Sequence, residues 1–284
     1  MLITEALASQ LPSSDSKLHV DSHELRAAEA ADRLALHVAG IVKRAVAGLD
    51  EAERVSVGIA LAKALVEQID EAVAGAGVGD QAPVTPGAVL RAIVARQPDG
   101  LPEVLPAPLI PLLDTTLLTN APGEPRVGSQ ILTELHSADR IDIVMAFIRR
   151  SGLAPFMSVL KAHCQAGRSL RVLTTTYTGS TERRALDELQ ALGAQVRVSY
   201  DTSTTRLHAK AWLFYRQSGF STAYIGSSNL THSAQVDGLE WNVRVSGARN
   251  SDVVDKVSAV FESYWNSGDF VGYDPAVFEV ATAG

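Results

Sequence analysis

Cysteine is almost missing from this chain: Cys164 stands alone among 284 residues. That excludes an intramolecular disulfide and a cysteine zinc cluster, and the helical neighbourhood of Cys164 makes it a core thiol. Long apolar runs are missing too, and Glu5 precedes any basic side chain, so neither a secretory leader nor a membrane span is indicated. The expectation is a cytoplasmic protein with no membrane partner. No glycine loop of the form Gly-x4-Gly-Lys-Ser/Thr occurs, which leaves no P-loop motor in these residues and points to a free-standing protein or the front part of something longer. Internal repeats and low-complexity tracts are absent as well. What is present is a 46% apolar composition, enough for one large core or two modest ones.

Net basic charge is also lacking, with 25 Lys and Arg against 32 Asp and Glu. The sum hides a gradient. Residues 139–216 hold 12 basic and 6 acidic side chains, whereas 1–138 hold 10 and 18, and 217–284 hold 3 and 8. Arg149, Arg150, Arg183 and Arg184 fall in the basic middle, either as solvated helix ends or as a surface that follows phosphates and binds less as salt rises.

Spacing divides the chain. From His23 to Leu49 the positions Leu34, Val38, Ile41, Val42 and Val46 recur mostly at three- and four-residue steps, and Asp50 can cap a second helix carrying Val55, Ile59, Leu65 and Ile69. Thr85-Pro86 is expected to open a third, short helix. Seven of the twelve prolines lie between 97 and 127, which reads as a linker or an irregular wrap. The expected division is a helical region over 1–125, an α/β domain over 126–270 and a tail over 271–284. Within the α/β domain, strands near 143–148, 170–176 and 195–200 alternate with helices over 154–166 and 181–192. Two further strands, a strand over 240–245 and a helix over 251–264 follow, giving a mixed sheet flanked by helices.

The most informative segment is Arg206-Leu-His-Ala-Lys-Ala-Trp212, followed by Gly226-Ser-Ser-Asn229 at the end of the next expected strand. Alternation puts His208, Lys210, Trp212 and Phe214 on one face. Lys210 thus points where apolar neighbours point, and a buried ammonium needs an anionic partner such as a phosphate oxygen. Thr176 and Ser180 lie where a strand ends and a helix begins, and free N–H groups there can receive a phosphate or simply be capped. Trp212, Trp241 and Trp265 read as core side chains.

His-x-Lys followed by Gly-Ser-x-Asn resembles the phospholipase D superfamily, over roughly residues 126 to 270. Tyr224-Ile-Gly-Ser-Ser-Asn-Leu-Thr231, Gly238-Leu-Glu-Trp-Asn-Val-Arg244 and Thr174-Thr-Thr-Tyr-Thr-Gly-Ser-Thr-Glu-Arg-Arg184 resemble its nuclease-type modules, both helicase-linked and restriction-type. The resemblance implies a phospholipase D-like α/β sandwich, preceded here by the helical region. His208 would be the nucleophile, forming a phosphohistidine that water opens. Lys210 and Asn229 would hold nonbridging oxygens, with Ser227 assisting, and Glu240 would accept a hydrogen bond from the second imidazole nitrogen. Arg149, Arg183, Arg184, Arg206, Thr176 and Ser180 would contact phosphate or DNA. No metal and no cofactor are implied. The scheme needs two histidines on one phosphorus, and only one His-x-Lys exists, so single-motif relatives imply a twofold homodimer sharing one site.

One position departs from the family motif. Tyr215 stands where the motif has Asp. The expected function is therefore a metal-independent endonuclease acting on DNA or another nucleic acid, in restriction, phage defence or repair with a helicase motor. The alternative is a catalytically silent DNA-positioning module of a helicase system. Phospholipid hydrolysis is disfavoured by the single motif and the lack of an amphipathic membrane face.

Overall fold

A computed structural model of the protein describes residues 2–12, 18–89, 96, 98–101, 109–201, 207–236, 238 and 240–283. The chain divides into two units, Met1–Ile93 and Val94–Gly284.

The first unit is helical. It contains α1 (Glu5–Ala8), α2 (Ala27–Ala47) and α3 (Glu51–Ala72). Thr4 caps α1, its Oγ1 accepting from the Leu7 amide at 3.1 Å. Asp50 holds the N-cap position of α3 but makes no side-chain cap bond, and Glu51 and Glu53 place negative charge in the first turn, beside the positive end of the helix dipole. Among the described residues no side chain before Leu118 is buried. Leu34, Val38 and Ile41 of α2 and Val55 and Ile69 of α3 all stay exposed. The short helix expected after Thr85 does not form at residues 86–89, where Gly87 has φ 120°, outside the right-handed helical region.

The second unit is built on an eight-stranded mixed sheet among the described residues. In chain order it contains β1 (Thr116–Leu118), α4 (Val127–Ser137), β2 (Arg140–Met145), α5 (Arg150–Leu153), α6 (Met157–Gln165) and β3 (Ser169–Thr175). Then come α7 (Arg183–Ala191), β4 (Gln195–Ser199), β5 (Lys210–Tyr215), β6 (Thr222–Gly226), α8 (His232–Val236) and β7 (Asn242–Ser246). The unit closes with α9 (Ser251–Trp265), β8 (Val271–Gly272) and α10 (Pro275–Thr282). The strand order is β1-β7-β6-β5-β2-β3-β4-β8. Strands β2, β3 and β4 run parallel, β3 and β4 each being reached by a helical crossover, and the other pairings are antiparallel.

Strand alternation splits the core in two. Ile141, Ile143, Trp212, Phe214 and Tyr224 pack under α4, α6, α7 and α10, through Ile131, Leu135, Leu160, Leu186 and Phe278. Val144, Leu173, Leu213, Ala223 and Val245 pack under α9, through Val254, Phe261 and Trp265. The fold is thus a mixed sheet with helices on both faces, and the central strands read as apolar runs because both faces are covered.

Three segments do more than the sequence pattern suggested. The proline-rich stretch contributes edge strand β1, paired to β7 by Leu117 opposite Val243. The expected C-terminal tail supplies β8 against β4, and α10, whose Phe278 is buried. Helix α4 covers the sheet with Val127, Ile131 and Leu135 at four-residue steps, yet also points a carboxylate, Glu134, inward.

Candidate active site

At the start of β5 the chain delivers two cationic or nucleophilic groups together. Lys210 is the first residue of the strand and is 7% exposed, while His208, two residues earlier, is exposed. The Lys210 ammonium donates to the His208 carbonyl at 2.7 Å and lies 2.9 Å from Nδ1 and 3.2 Å from Nε2 of the same ring. Burial pushes the Lys210 pKa below its usual value, and the negative charge of Glu240 partly restores it. The His208 ring also meets Phe147 edge-on, with centroids 6.2 Å apart.

The second half of the site hangs on the end of β6. Gly226 is required there: a Cβ would come within 2.2 Å of the Trp241 carbonyl oxygen and 2.5 Å of Asn242 Oδ1. This close approach lets the Ser227 amide bond Trp241 O at 3.0 Å and the Trp241 amide bond Ser227 Oγ at 3.1 Å. The Ser227 hydroxyl in turn donates to Glu240. Asn229 is fixed by its Oδ1, which accepts from the Phe147 amide at 3.2 Å, so Nδ2 is left as its donor end. The next residue bonds the same segment, Leu230 N to Phe147 O at 3.1 Å and Arg149 N to Leu230 O at 2.9 Å. Gly152 is a second required glycine, since its Cβ would lie 2.3 Å from the Leu230 carbonyl.

Lys210, Ser228, Asn229 and Asn242 share one small cleft, with Trp212 and Tyr224 among its walls. Asn242 donates to Ser228 Oγ at 2.7 Å and is buried, a participant that motif reading did not single out. An ammonium and an amide donor facing one cleft beside an exposed imidazole can bind a phosphate and offer it a nitrogen nucleophile. Among the described residues no group of three or more His, Cys, Asp or Glu side chains is placed to hold a metal ion. Likewise, no helix among them is long and apolar enough to cross a membrane.

Below the cleft lies a buried ion cluster that the sequence did not announce. Glu134 accepts from Arg216 Nη2 at 2.5 Å and Arg244 Nε at 2.8 Å, and also from the hydroxyls of Thr222 and Tyr224 at 2.9 and 3.0 Å. All three charged residues are buried. Burial alone would raise the Glu134 pKa, but the two guanidinium groups hold it below the usual carboxylate value. The signal in the sequence is only that Glu134 falls three residues after Ile131 and seven after Val127, on the face of α4 that carries its apolar residues.

The remaining expected contacts divide. Arg149 is exposed and enters no ion pair among the described residues, and its amide ties it beside Asn229. Arg183 instead pairs with Glu279 at 2.5 Å and Asp187 at 3.6 Å, and Arg184 and Arg150 both pair with Glu188, at 3.2 and 2.7 Å. These three arginines are thus paired with nearby carboxylates while staying exposed. Thr176 is buried with its hydroxyl shut away from solvent, which corrects its reading as a phosphate contact. Ser180 is half-buried on the turn between β3 and α7. Glu240 binds Ser227 rather than the imidazole, no hydrogen bond joining it to His208 among the described residues. Arg206 lies outside the described residues. Trp212 and Trp265 are core side chains as expected, but Trp241 is 67% exposed.

Tyr215 closes β5 on the opposite face from Lys210, packed against the α9 core. Its hydroxyl donates to Ser258 at 2.9 Å, and the Arg140 guanidinium stacks 3.7 Å from its ring centroid. Five residues of strand put it about 16 Å from Lys210. The residue that replaces the motif Asp therefore takes nothing from the cleft.

Residues 131–265 match the family model described as "Cardiolipin synthase, PLD-like domain". The fold of this part of the chain, a mixed sheet flanked by helices, is phospholipase D-like. No curated protein sequence matches the chain at a significant level. Among solved structures, the chain is similar to Nuc, a phospholipase D family member from Salmonella typhimurium, at 17% identity and a TM-score of 0.44, covering 56% of this chain and 97% of that one. It is also similar to NucT from Helicobacter pylori, at 13% identity and a TM-score of 0.43, covering 56% and 99%. A polyphosphate kinase from Porphyromonas gingivalis matches at 17% identity and a TM-score of 0.40, covering 57% and 29%.

Proposed function

We propose that the protein is a metal-independent phosphodiesterase that cuts DNA through a phosphohistidine, with one site shared by two copies. The observation that carries this reading is the exposed His208 ring held against the ammonium of buried Lys210, which lines the same cleft as Asn229. An imidazole nitrogen of His208 attacks phosphorus and the P–O bond to the leaving nucleotide breaks. The partner's His208 gives its proton to the departing oxygen, then takes one from the water that cleaves the P–N bond. Lys210 and Asn229 Nδ2 neutralise the nonbridging oxygens, where charge concentrates as the reaction proceeds. Glu240, through Ser227, orders the end of β6, and its charge offsets in part the lowering of the Lys210 pKa by burial. Tyr215, the departure from the motif that favours the silent-module alternative, lies on the far face of the sheet from Lys210, which supports the hydrolase reading. Following the family resemblance, the proposed setting is cytoplasmic restriction, phage defence or repair alongside a helicase motor.

Plasmid incubated with the protein in EDTA tests this. Cutting that persists in chelator and disappears in His208→Ala supports the reading. Binding without cutting, or cutting that needs added Mg²⁺, contradicts it. A mixture of equal parts wild-type and His208→Ala protein, once subunits have exchanged, should keep about a quarter of the activity rather than half if each site needs two imidazoles.

A further inference from the structure

An exposed tryptophan is the least expected side chain at the edge of this site. Trp241 is 67% exposed, while the other two tryptophans are buried. Its backbone is not loose: both its amide and its carbonyl are bonded to Ser227, and Gly226 packs against it without a Cβ. The ring is therefore presented from a fixed point, one residue from Glu240 and one from Asn242. Two residues on along the strand lies Val243, 39% exposed, and directly across from Val243 lies Leu117, 46% exposed. Successive odd positions share a face, so Trp241 and Val243 lie with Val245 on the α9 side of the sheet, opposite Lys210 and Asn242, and with Leu117 they form an apolar strip running from the strand ends down the sheet edge. Strand β7 is two places from β5, about 10 Å across the sheet from Lys210.

We infer that Trp241 is a stacking platform for a nucleobase next to the bound phosphate, so that the substrate is a single-stranded or locally opened nucleic acid. The inference rests on the phosphodiesterase reading, which puts a DNA phosphate at Lys210. An extended strand whose phosphate is held there crosses the ends of β6 and β7 from the Lys210 face of the sheet to the Trp241 face, where the ring meets whichever base arrives. Stacking of this kind tolerates any sequence, because every base has a π-face. The apolar strip beyond is too small for a membrane footing, three side chains on one strand pair and no amphipathic helix.

The test uses full-length protein carrying His208→Ala, in EDTA, with a fluorescently labelled single-stranded oligonucleotide, so that binding is read without turnover. Adding Trp241→Ala should weaken binding roughly 5- to 100-fold, whereas Trp241→Phe should stay within about threefold. An oligonucleotide with abasic sites should lose affinity for the parent but not for the Trp241→Ala protein. Equal binding by parent and Trp241→Ala overturns the inference, as does an abasic penalty of the same size in both. If Trp241→Ala turns a dimer into a monomer in light scattering, the ring is a subunit contact instead. Loss of binding to anionic vesicles on Trp241→Ala, with oligonucleotide binding unchanged, would make it a lipid contact instead. The two readings fail separately. Protein that cuts plasmid in EDTA equally well with and without Trp241 keeps the hydrolase and loses the platform. Protein that never cuts but binds oligonucleotide through Trp241 does the reverse.

Discussion

The Lys210 ammonium donates to the carbonyl of His208 at 2.7 Å while lying 2.9 Å from Nδ1 of the same residue, so cation and ring are held as one unit at the head of β5. Exposure separates them. The ring faces solvent and the amine is buried behind it, so that on the proposed mechanism an incoming phosphate meets the nucleophile first and the Lys210 clamp after it.

Removing the clamp should therefore damage chemistry more than capture. Lys210→Ala is expected to lower kcat by about 10²- to 10³-fold, because the contact strengthens as charge develops on the phosphate oxygens. Single-turnover cleavage and oligonucleotide affinity measured together check this, and a large rise in Kd with normal turnover would contradict it.

The pH dependence follows from the environment of Lys210. Burial lowers its pKa and Glu240 raises it in part. Only the protonated amine can hold phosphate, so activity falls as pH rises through the lowered pKa. Glu240→Gln removes the raising contribution, and the basic limb of the pH–rate profile should move to lower pH. If turnover is too slow, the pH dependence of Lys210 acylation reads the same shift. A limb that stays or moves upward would show that Glu240 does not act on Lys210.

Glu134 should govern stability rather than turnover. Its folded pKa is depressed below 4.5 by Arg216 and Arg244, so its contribution is fully present above about pH 4.5 and is lost as pH falls through the depressed value. Glu134→Gln leaves two buried guanidinium groups without a counter-charge and should cost about 3–5 kcal/mol at pH 7. Urea unfolding at pH 7 and at pH 4 checks both points: the gap between wild type and variant should narrow at the lower pH.

Restoring the motif carboxylate should gain nothing. Tyr215→Asp loses the Ser258 hydrogen bond and the Arg140 stack and sets a second carboxylate near buried Asp142. Turnover should not rise, and the protein should lose about 1–3 kcal/mol of stability by urea unfolding. A gain in activity would mean that the far face of β5 takes part in the reaction.

Much of this architecture could be read from residue order. Alternation from Leu207 to Phe214 placed Lys210 among apolar neighbours, and Trp212 and Phe214 do line the core on its side of the sheet. Strands β3 and β4 and helices α6, α7 and α9 fall close to where periodicity puts them, whereas β2 begins three residues before the expected strand. Tertiary events were not legible. Charge counted along the chain suggested an open basic surface, but Arg183 finds Glu279 ninety-six residues away and Arg150 finds Glu188 thirty-eight away. Glu134, Arg216 and Arg244 come from three separate elements and meet only once the sheet is assembled. Trp241 was misread because residue type argued for burial, whereas its position beside a glycine-tight strand end turned it outward.

The helices of the first unit have no buried side chain to hold them shut. Their backbone amides can open to solvent without disturbing any packed interior, so deuterium should enter α2 and α3 long before it enters the central strands β2 and β5.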